Sequence, residues 1–191
     1  MGLSELSGKM IRLTPVDLEK DCESNATWQL DSEFLRLMDS TVAFPFTAKQ
    51  IKEWYEKVYS DRYEFTIRKL DSQEPIGFVE LGGINWSARN AWAGIGIGKR
   101  ENWGLGIGKR ENWGLGIGTE AMQLMLKFGL KELNLRRISL GVFEYNLRAL
   151  HSYEKVGFKV EGRQREIVFR DGKRSDMIVM GIFQDQWKEE L

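Results

Sequence analysis

Gly114-Leu115-Gly116-Ile117-Gly118-Thr119-Glu120-Ala121 runs a glycine-rich turn directly into the start of a helix. Backbone N–H groups without intrahelical partners and the positive end of a helix dipole converge at such a junction, so it reads as a site for a phosphate-bearing ligand. The segment just upstream is written twice. Residues 96–105 read GIGKRENWGL, residues 106–115 repeat them letter for letter, and 116–118 begin a third copy. The last copy is the one expected to work, because it alone leads into a helix-forming stretch. A helix begun one copy earlier would enclose Gly114, Gly116 and Gly118, at about 1 kcal/mol each relative to alanine.

Outward from that junction the chain alternates strands and helices. Residues 10–13 read as a strand. Asp17 is a candidate N-cap for a helix reaching about residue 30, and 39–46 read as irregular. Thr47 caps a helix from 48 to about 59, with Ile51, Trp54, Tyr55 and Val58 at helical spacing. Residues 63–68, 76–84 and 91–98 read as strands, the last two as a hairpin. A long helix follows from 119 to about 133, then a buried-type strand at 137–143 and a short helix at 146–156 stopped by Gly157. Two closing strands, 158–169 and 177–183, flank a turn containing Asp171-Gly172, a strong hairpin signal. The pattern is β-α-α-β-β-β-α-β-α-β-β, one α/β domain over 1–191 with an insertion at 96–115. Two registers are open for the repeat. Either 91–98 stays in the sheet and 99–108 bulges, or 104–108 takes the place of 94–98. The first keeps the tight hairpin and is favoured.

Composition excludes several classes. Lys plus Arg and Asp plus Glu both number 28, leaving no net field for nucleic acid or anionic lipid. Cys22 and His151 are single, which argues against disulfides and against Cys- or His-rich metal sites, and no metal is expected. No apolar run is long enough for a membrane span and no signal sequence is evident, so a reducing, cytoplasmic setting is expected. A monomer or a homodimer fits equally well.

A Walker A loop fails here: Gly98-Lys99 and Gly108-Lys109 are each followed by Arg, and the upstream glycine is missing. The dinucleotide pattern G-x-G-x-x-G/A matches 116–121, but antiparallel strands precede it where a parallel unit is needed. A third pattern fits better. Residues 113–121 (WGLGIGTEA) resemble the Q/R-x-x-G-x-G/A pyrophosphate loop of the GNAT superfamily of acyl-CoA N-acyltransferases, with Trp113 at the Gln/Arg position. Residues 146–158 (NLRALHSYEKVGF) resemble that superfamily's N-x-x-A-x-x-x-Y-x-K-x-G-F segment. The likeness spans 10–183 and is nearest to the ribosomal-protein and diamine N-acetyltransferase branch.

That resemblance implies a mixed, mostly antiparallel sheet of about seven strands with about four helices, splayed into a V between two parallel strands, here 91–98 and 137–143. It implies acetyl-CoA as cosubstrate, held by Ile95, Ile97, Trp113, Gly114, Leu115, Gly116, Ile117, Gly118, Thr119, Asn146, Ala149, Tyr153 and Lys155. Glycines 94, 96 and 98 are expected to leave room for the pantetheine arm, which can pair with a free strand edge. Tyr153 matches the general acid that protonates the leaving thiolate, and it shares a helix face with Asn146 and Ala149. Glu80 and Glu144 are both candidates for the base, and a water chain is a third route. His151 reads as a surface residue on another face. Trp92, Trp103 and Trp113 read as packing residues, and Phe44-Pro45-Phe46 as a wall of the acceptor pocket. The acceptor is a primary amine, on a small molecule or a protein N-terminus. A free lysine amine titrates near 10.4 and an α-amine at about 7.7–8.0, so the latter is the easier nucleophile. A non-catalytic acyl-CoA or nucleotide-binding module, impaired by the repeat, is the competing reading. The bulge is expected to sit beside the cleft and to lower activity. Identity between the copies points to a recent or engineered event.

Overall fold

Strands β1 (Ile11–Thr14), β2 (Tyr63–Lys69), β3 (Pro75–Asn85), β4 (Asn90–Ile97), β5 (Arg137–Phe143), β6 (Lys159–Arg170) and β7 (Lys173–Phe183) form one sheet in the order β1-β2-β3-β4-β5-β7-β6. They are seen in a computed structural model that describes residues 6–57, 62–98 and 116–189. Every neighbouring pair is antiparallel except β4 and β5, which run parallel. The helices among the described residues are α1 (Lys20–Trp28), α2 (Ser32–Met38), α3 (Ala48–Glu56), α4 (Ile117–Lys127) and α5 (Leu147–Val156).

Short-range chemistry explains most boundaries. Asp17 Oδ1 accepts the Glu19 N–H and the Asp17 carbonyl accepts the Asp21 N–H, so Asp17 shapes the turn leading into α1, whose N-cap is Glu19 and not the expected Asp17. Thr47 and Gln50 form a reciprocal capping box at the start of α3. Gly157 ends α5 with φ of 106°, a conformation that glycine adopts without strain. Asp171 and Gly172 both take positive φ (52° and 73°), the requirement of the tight β6–β7 hairpin.

One helix departs from the sequence expectation of about four. Residues 32–38 form α2, capped by the Asp31 side chain, which accepts the Glu33 N–H at 2.9 Å. The long helix also departs from its expectation. After Lys127 it widens into a π-helical turn, Phe128–Glu132, in which Leu133 N–H reaches the Phe128 carbonyl at 3.1 Å. Gly129 explains why this turn lies so close to the sheet. A Cβ there would come within 2.7 Å of Ile138 Cδ1 and 2.8 Å of Leu81 Cδ1.

The two faces of the sheet are covered by different helices. On one, Val79, Leu81, Ile138, Leu140, Met180 and Ile182 pack with α4 and with Val156 of α5. Ala121, Met122, Leu124, Met125 and Leu126 of α4 are fully buried, so this helix is the spine of the core. Each large side chain buried in this way stabilises the fold by roughly 1.5–3 kcal/mol. On the opposite face Phe78 packs with Trp28, Phe34 and Met38.

Residues 91–97 keep their place in the hairpin, with Ile95 opposite Val79 and Ile97 opposite Gly77, as the favoured register requires. The expected bulge at 99–108 lies outside the described residues. No helix among those described is long and apolar enough to cross a membrane.

Candidate active site

The parallel pair β4–β5 is joined over only three residue pairs: Asn90 with Arg137, Ala91 with Ile138 and Trp92 with Ser139. Beyond Ser139, β5 stays paired with β7 and β4 with β3, so the two strands part and leave facing edges. A cleft of about 460 Å³ fills the opening. It is bordered by residues 93–97 of β4, 116–119 at the start of α4, 141–143 of β5, and one face of α5. On the far side of the sheet α2 closes it with Phe34, Leu37 and Met38.

The α4 end is a donor array. Gly116 sits at the N-cap with φ of 85°, and no side chain caps the helix. The first intrahelical bond runs from the Glu120 N–H to the Gly116 carbonyl at 2.7 Å. The N–H groups of Ile117, Gly118 and Thr119 therefore lack intrahelical partners, and all three residues border the cleft. The space beside Gly118 is open; an added Cβ would find only Ser152 Oγ, at 4.0 Å. Thr119 Oγ1 and Ser152 Oγ lie 2.9 Å apart and tie α4 to α5. Glu120 does not cap its own helix: its nearly buried carboxylate accepts the Met10 N–H at 3.0 Å and fixes the helix against the approach to β1. Trp113, Gly114 and Leu115 lie outside the described residues.

Helix α5 supplies the neighbouring wall. Asn146 Oδ1 accepts the Ala149 N–H at 3.2 Å, so Asn146 acts as the N-cap while also bordering the cleft. Ala149, Tyr153 and Lys155 border it too, as do Ile95 and Ile97 of β4. Exposed His151 reaches the same cleft, contrary to the expectation that it faces elsewhere. Tyr153 is half-buried, edge-to-face with Phe158 at 6.1 Å. Burial pushes its hydroxyl up to about 12, against the opposing pull of Arg148. The phenol is therefore protonated at neutral pH and able to donate.

Glu80 lies on the α1–α3 side of the sheet, one strand away from the opening. Its carboxylate sits over Gly94, which borders the cleft: a Cβ on Gly94 would be 2.7 Å from Glu80 Oε1. Glu80 itself is not among the residues lining the cleft. Arg62 bridges it to Glu64, its cross-strand neighbour, and Glu64 also accepts a hydrogen bond from Tyr55. Burial raises the Glu80 carboxyl above its ordinary range, with Arg62 pulling it down. Glu144, the other candidate base, turns away from the cleft. It accepts the Asp176 N–H at 2.9 Å and pairs with Arg163 at 2.8 Å, which makes it a tie between β5 and β7.

The α2 wall is held by a residue the sequence did not single out. Arg170, at the end of β6, donates to the carbonyls of Arg36, Asp39 and Thr41 and to Tyr145 Oη, the last two at 2.9 and 3.1 Å. Tyr145 Oη donates in turn to the Arg36 carbonyl at 2.9 Å, and Arg36 forms a two-point ion pair with Asp171, 2.8 Å at each contact. The hairpin tip thus ties the Arg36 carbonyl in the last turn of α2 to the carbonyls of Asp39 and Thr41 just beyond it. A composition-level signal was present, an arginine beside a tight turn, but nothing local says which carbonyls it meets.

Two expectations about the walls are corrected. Glycines 94 and 96 of β4, and Gly98 just after it, face protein on their Cβ side, where added Cβ atoms would strike Glu80, Phe78 and Trp28 respectively, although Gly94 and Gly96 also border the cleft. Phe44 and Phe46 do not line the cleft; they stand exposed, edge-to-face with each other at 6.0 Å. Their place is taken by Phe34, Leu37 and Met38 of the unanticipated helix. Among the described residues no three His, Cys, Asp or Glu side chains converge into a metal site.

A family model described as an acetyltransferase (GNAT) domain matches residues 11–159. The chain belongs to the GNAT acetyltransferase family. That makes it an acyl-CoA-dependent acetyltransferase with acetyl-CoA as cosubstrate, and the bare N–H array at the start of α4 fits an anionic diphosphate. Relatives include the spermidine N(1)-acetyltransferase of Escherichia coli (strain K12), 30% identical over 185 residues, covering 96% of this chain and 91% of that protein. The probable N-acetyltransferase YjcK of Bacillus subtilis (strain 168) is 31% identical over 185 residues, covering 93% and 96%. The GNAT fold is also that of spermidine N-acetyltransferase from Vibrio cholerae, solved in complex with CoA and spermine. The TM-score is 0.76 at 24% identity, covering 92% of this chain and 96% of the other.

Proposed function

We propose that this chain, acting as a single domain, moves the acetyl group of acetyl-CoA to a primary amine on a small molecule or a protein N-terminus. The observation that carries the reading is the shared cleft: three backbone donors at the start of α4 and a protonated Tyr153 open into one gap in the sheet. Acetyl-CoA supplies the acetyl group as a thioester. Ile117, Gly118 and Thr119 offer main-chain donors to its diphosphate next to the Gly116 N-cap, and Trp113, Gly114 and Leu115, outside the described residues, are assigned to the same cofactor. Residues Ile95 and Ile97 present a strand edge and apolar side chains to the arm, and Asn146, Ala149 and Lys155 face it from α5. Tyr153 gives its proton to the departing sulfur. Glu80 takes the proton from the amine, through water, over the bare Cα of Gly94. Burial raises its carboxyl pKa, which makes it a better base than an exposed glutamate. The single buried cysteine, Cys22, suits a reducing, cytoplasmic setting.

The test is thiol release from acetyl-CoA in the presence of a panel of amines. Amine-dependent release that falls sharply in Tyr153→Phe supports the reading. Coenzyme A binding with no amine-stimulated release would make the chain a binding module instead.

A further inference from the structure

Relatives of this chain include a spermidine acetyltransferase, yet the acceptor side of this cleft has the wrong chemistry for a polycation. Where the opening reaches the α2 face, its walls are Phe34, Leu37 and Met38 of α2, Phe143 of β5, Ile167 of β6 and Met177 of β7. Among the described lining residues Asp39 is the one carboxylate, set against Arg148 and Lys155. Just behind this wall Arg170 lies 5.9 Å from the Phe143 ring centroid. Its hydrogen bonds go to three carbonyls and a phenol, so no carboxylate among its hydrogen-bond partners neutralises it. Other acids of these elements are committed: Asp171 holds Arg36, Asp176 and Glu144 hold Arg163, Glu80 holds Arg62, and Glu33 acts on Arg148.

We infer that the acceptor is an amine carrying a single positive charge next to an apolar group, not a polyamine. The inference rests on the transfer reaction proposed above. One ammonium group finds one carboxylate among the described lining residues, Asp39, with Glu80 reached only through water and already paired with Arg62, and an apolar substituent finds six apolar side chains. A molecule with three or four ammonium groups would have to bury charges against Phe34, Met38 and Met177 and beside Arg170, where they would be neither hydrated nor paired. The same chemistry is offered by a small arylalkyl amine and by the α-amine of a chain that begins with a large apolar residue.

The experiment measures kcat/KM by thiol release at fixed acetyl-CoA for three acceptors: 2-phenylethylamine, a lysine-free hexapeptide beginning with Phe, and spermidine. The expected result is that 2-phenylethylamine or the peptide exceeds spermidine by at least tenfold, and the faster of the two identifies the source. Spermidine equal to or better than both overturns the inference while leaving the transfer reaction intact. Release stimulated by none of the three overturns the transfer reading and the acceptor assignment together. A second arm uses Ile167→Glu, at a wall position that is 43% exposed and so tolerant of a charge. Spermidine should gain at least fivefold relative to 2-phenylethylamine in this variant. An unchanged ratio would show that the apolar wall does not select the acceptor.

Discussion

The two ends of the cleft are built in opposite ways. At the α4–α5 end the functional groups come from chain segments that organise themselves. Gly116 turns the backbone, the first N–H groups of α4 are left free, and Asn146 caps α5 so that Ala149 and Tyr153 follow on one face. At the α2 end nothing local suffices. Helix α2 has seven residues, too few to be stable alone, and it is kept in place by Arg170 and Arg36 reaching between segments more than a hundred residues apart. On the function proposed above, the first end binds a ligand common to a whole family, and a sequence motif serves it. The second end then selects the acceptor, and a short helix tied to a hairpin tip can change without disturbing the motif.

That contrast can be broken most forcefully at Tyr153. Tyr153→Phe should lower kcat about a hundredfold, in the range typical of a lost general acid, with both KM values within a few-fold of the parent. An equal loss of binding and turnover would return Tyr153 to a packing role beside Phe158. The pH profile sharpens the point. A phenol raised to about 12 keeps its proton as pH climbs past the ordinary tyrosine value of about 10, so its loss should not limit kcat below pH 10. An alkaline limb near pH 9 that disappears in the Phe variant would contradict this.

Arg170→Ala comes next and tests the other end. It strands three carbonyls and should raise the amine KM about tenfold while the acetyl-CoA KM stays within twofold, with a stability loss of about 2 kcal/mol. Lysine at 170 should rescue only part of the effect, because one ammonium cannot span the same carbonyls. If acetyl-CoA binding weakens equally, the two ends are not separable.

Glu80→Gln should lower kcat up to tenfold and flatten the acidic limb of the profile. A base with a raised pKa loses activity as pH falls through that value, and glutamine has nothing to titrate. An acidic limb identical to the parent's would move the base elsewhere. Excision of one ten-residue copy (residues 96–105) should raise acetyl-CoA turnover several-fold, because the doubled stretch 96–115 starts at Gly96 and leads into Gly116, and both of these residues border the cleft. No gain would count against interference by the repeat. The smallest effect distinguishes two glycines. Gly116→Ala forces a side chain into positive φ and should cost about 1–2 kcal/mol, whereas Gly118→Ala meets open space and should leave the melting temperature unchanged or slightly higher.

The legible parts of the fold were those decided within a few residues. The Thr47 capping box, the Asp171-Gly172 hairpin and the stop at Gly157 each follow from one or two side chains and a dihedral preference. Helix α2 was legible in principle, since Asp31 precedes Phe34, Leu37 and Met38 at helical spacing, but the run is short and lies next to an irregular aromatic stretch. The glycines of β4 were seen and misread. Their absent Cβ atoms answer to Glu80, Phe78 and Trp28, which arrive from other strands and helices, and no window on β4 contains them. The π-helical turn was not legible either; its Gly129 sits against Ile138 and Leu81, which come from other elements.

By itself, then, the amino-acid order determined the seven strands, four of the five helices, several of their ends, the glycine turn before α4 and the tyrosine on α5. These depend on backbone geometry and on spacing along one helix or strand, which short-range sterics and hydrogen bonds settle. Only the tertiary structure decided where β4 and β5 part, which helix walls the acceptor side and what Arg170 holds together. Those outcomes depend on which distant side chains compete for the same volume and the same unsatisfied carbonyls, and that competition exists only once the chain has packed.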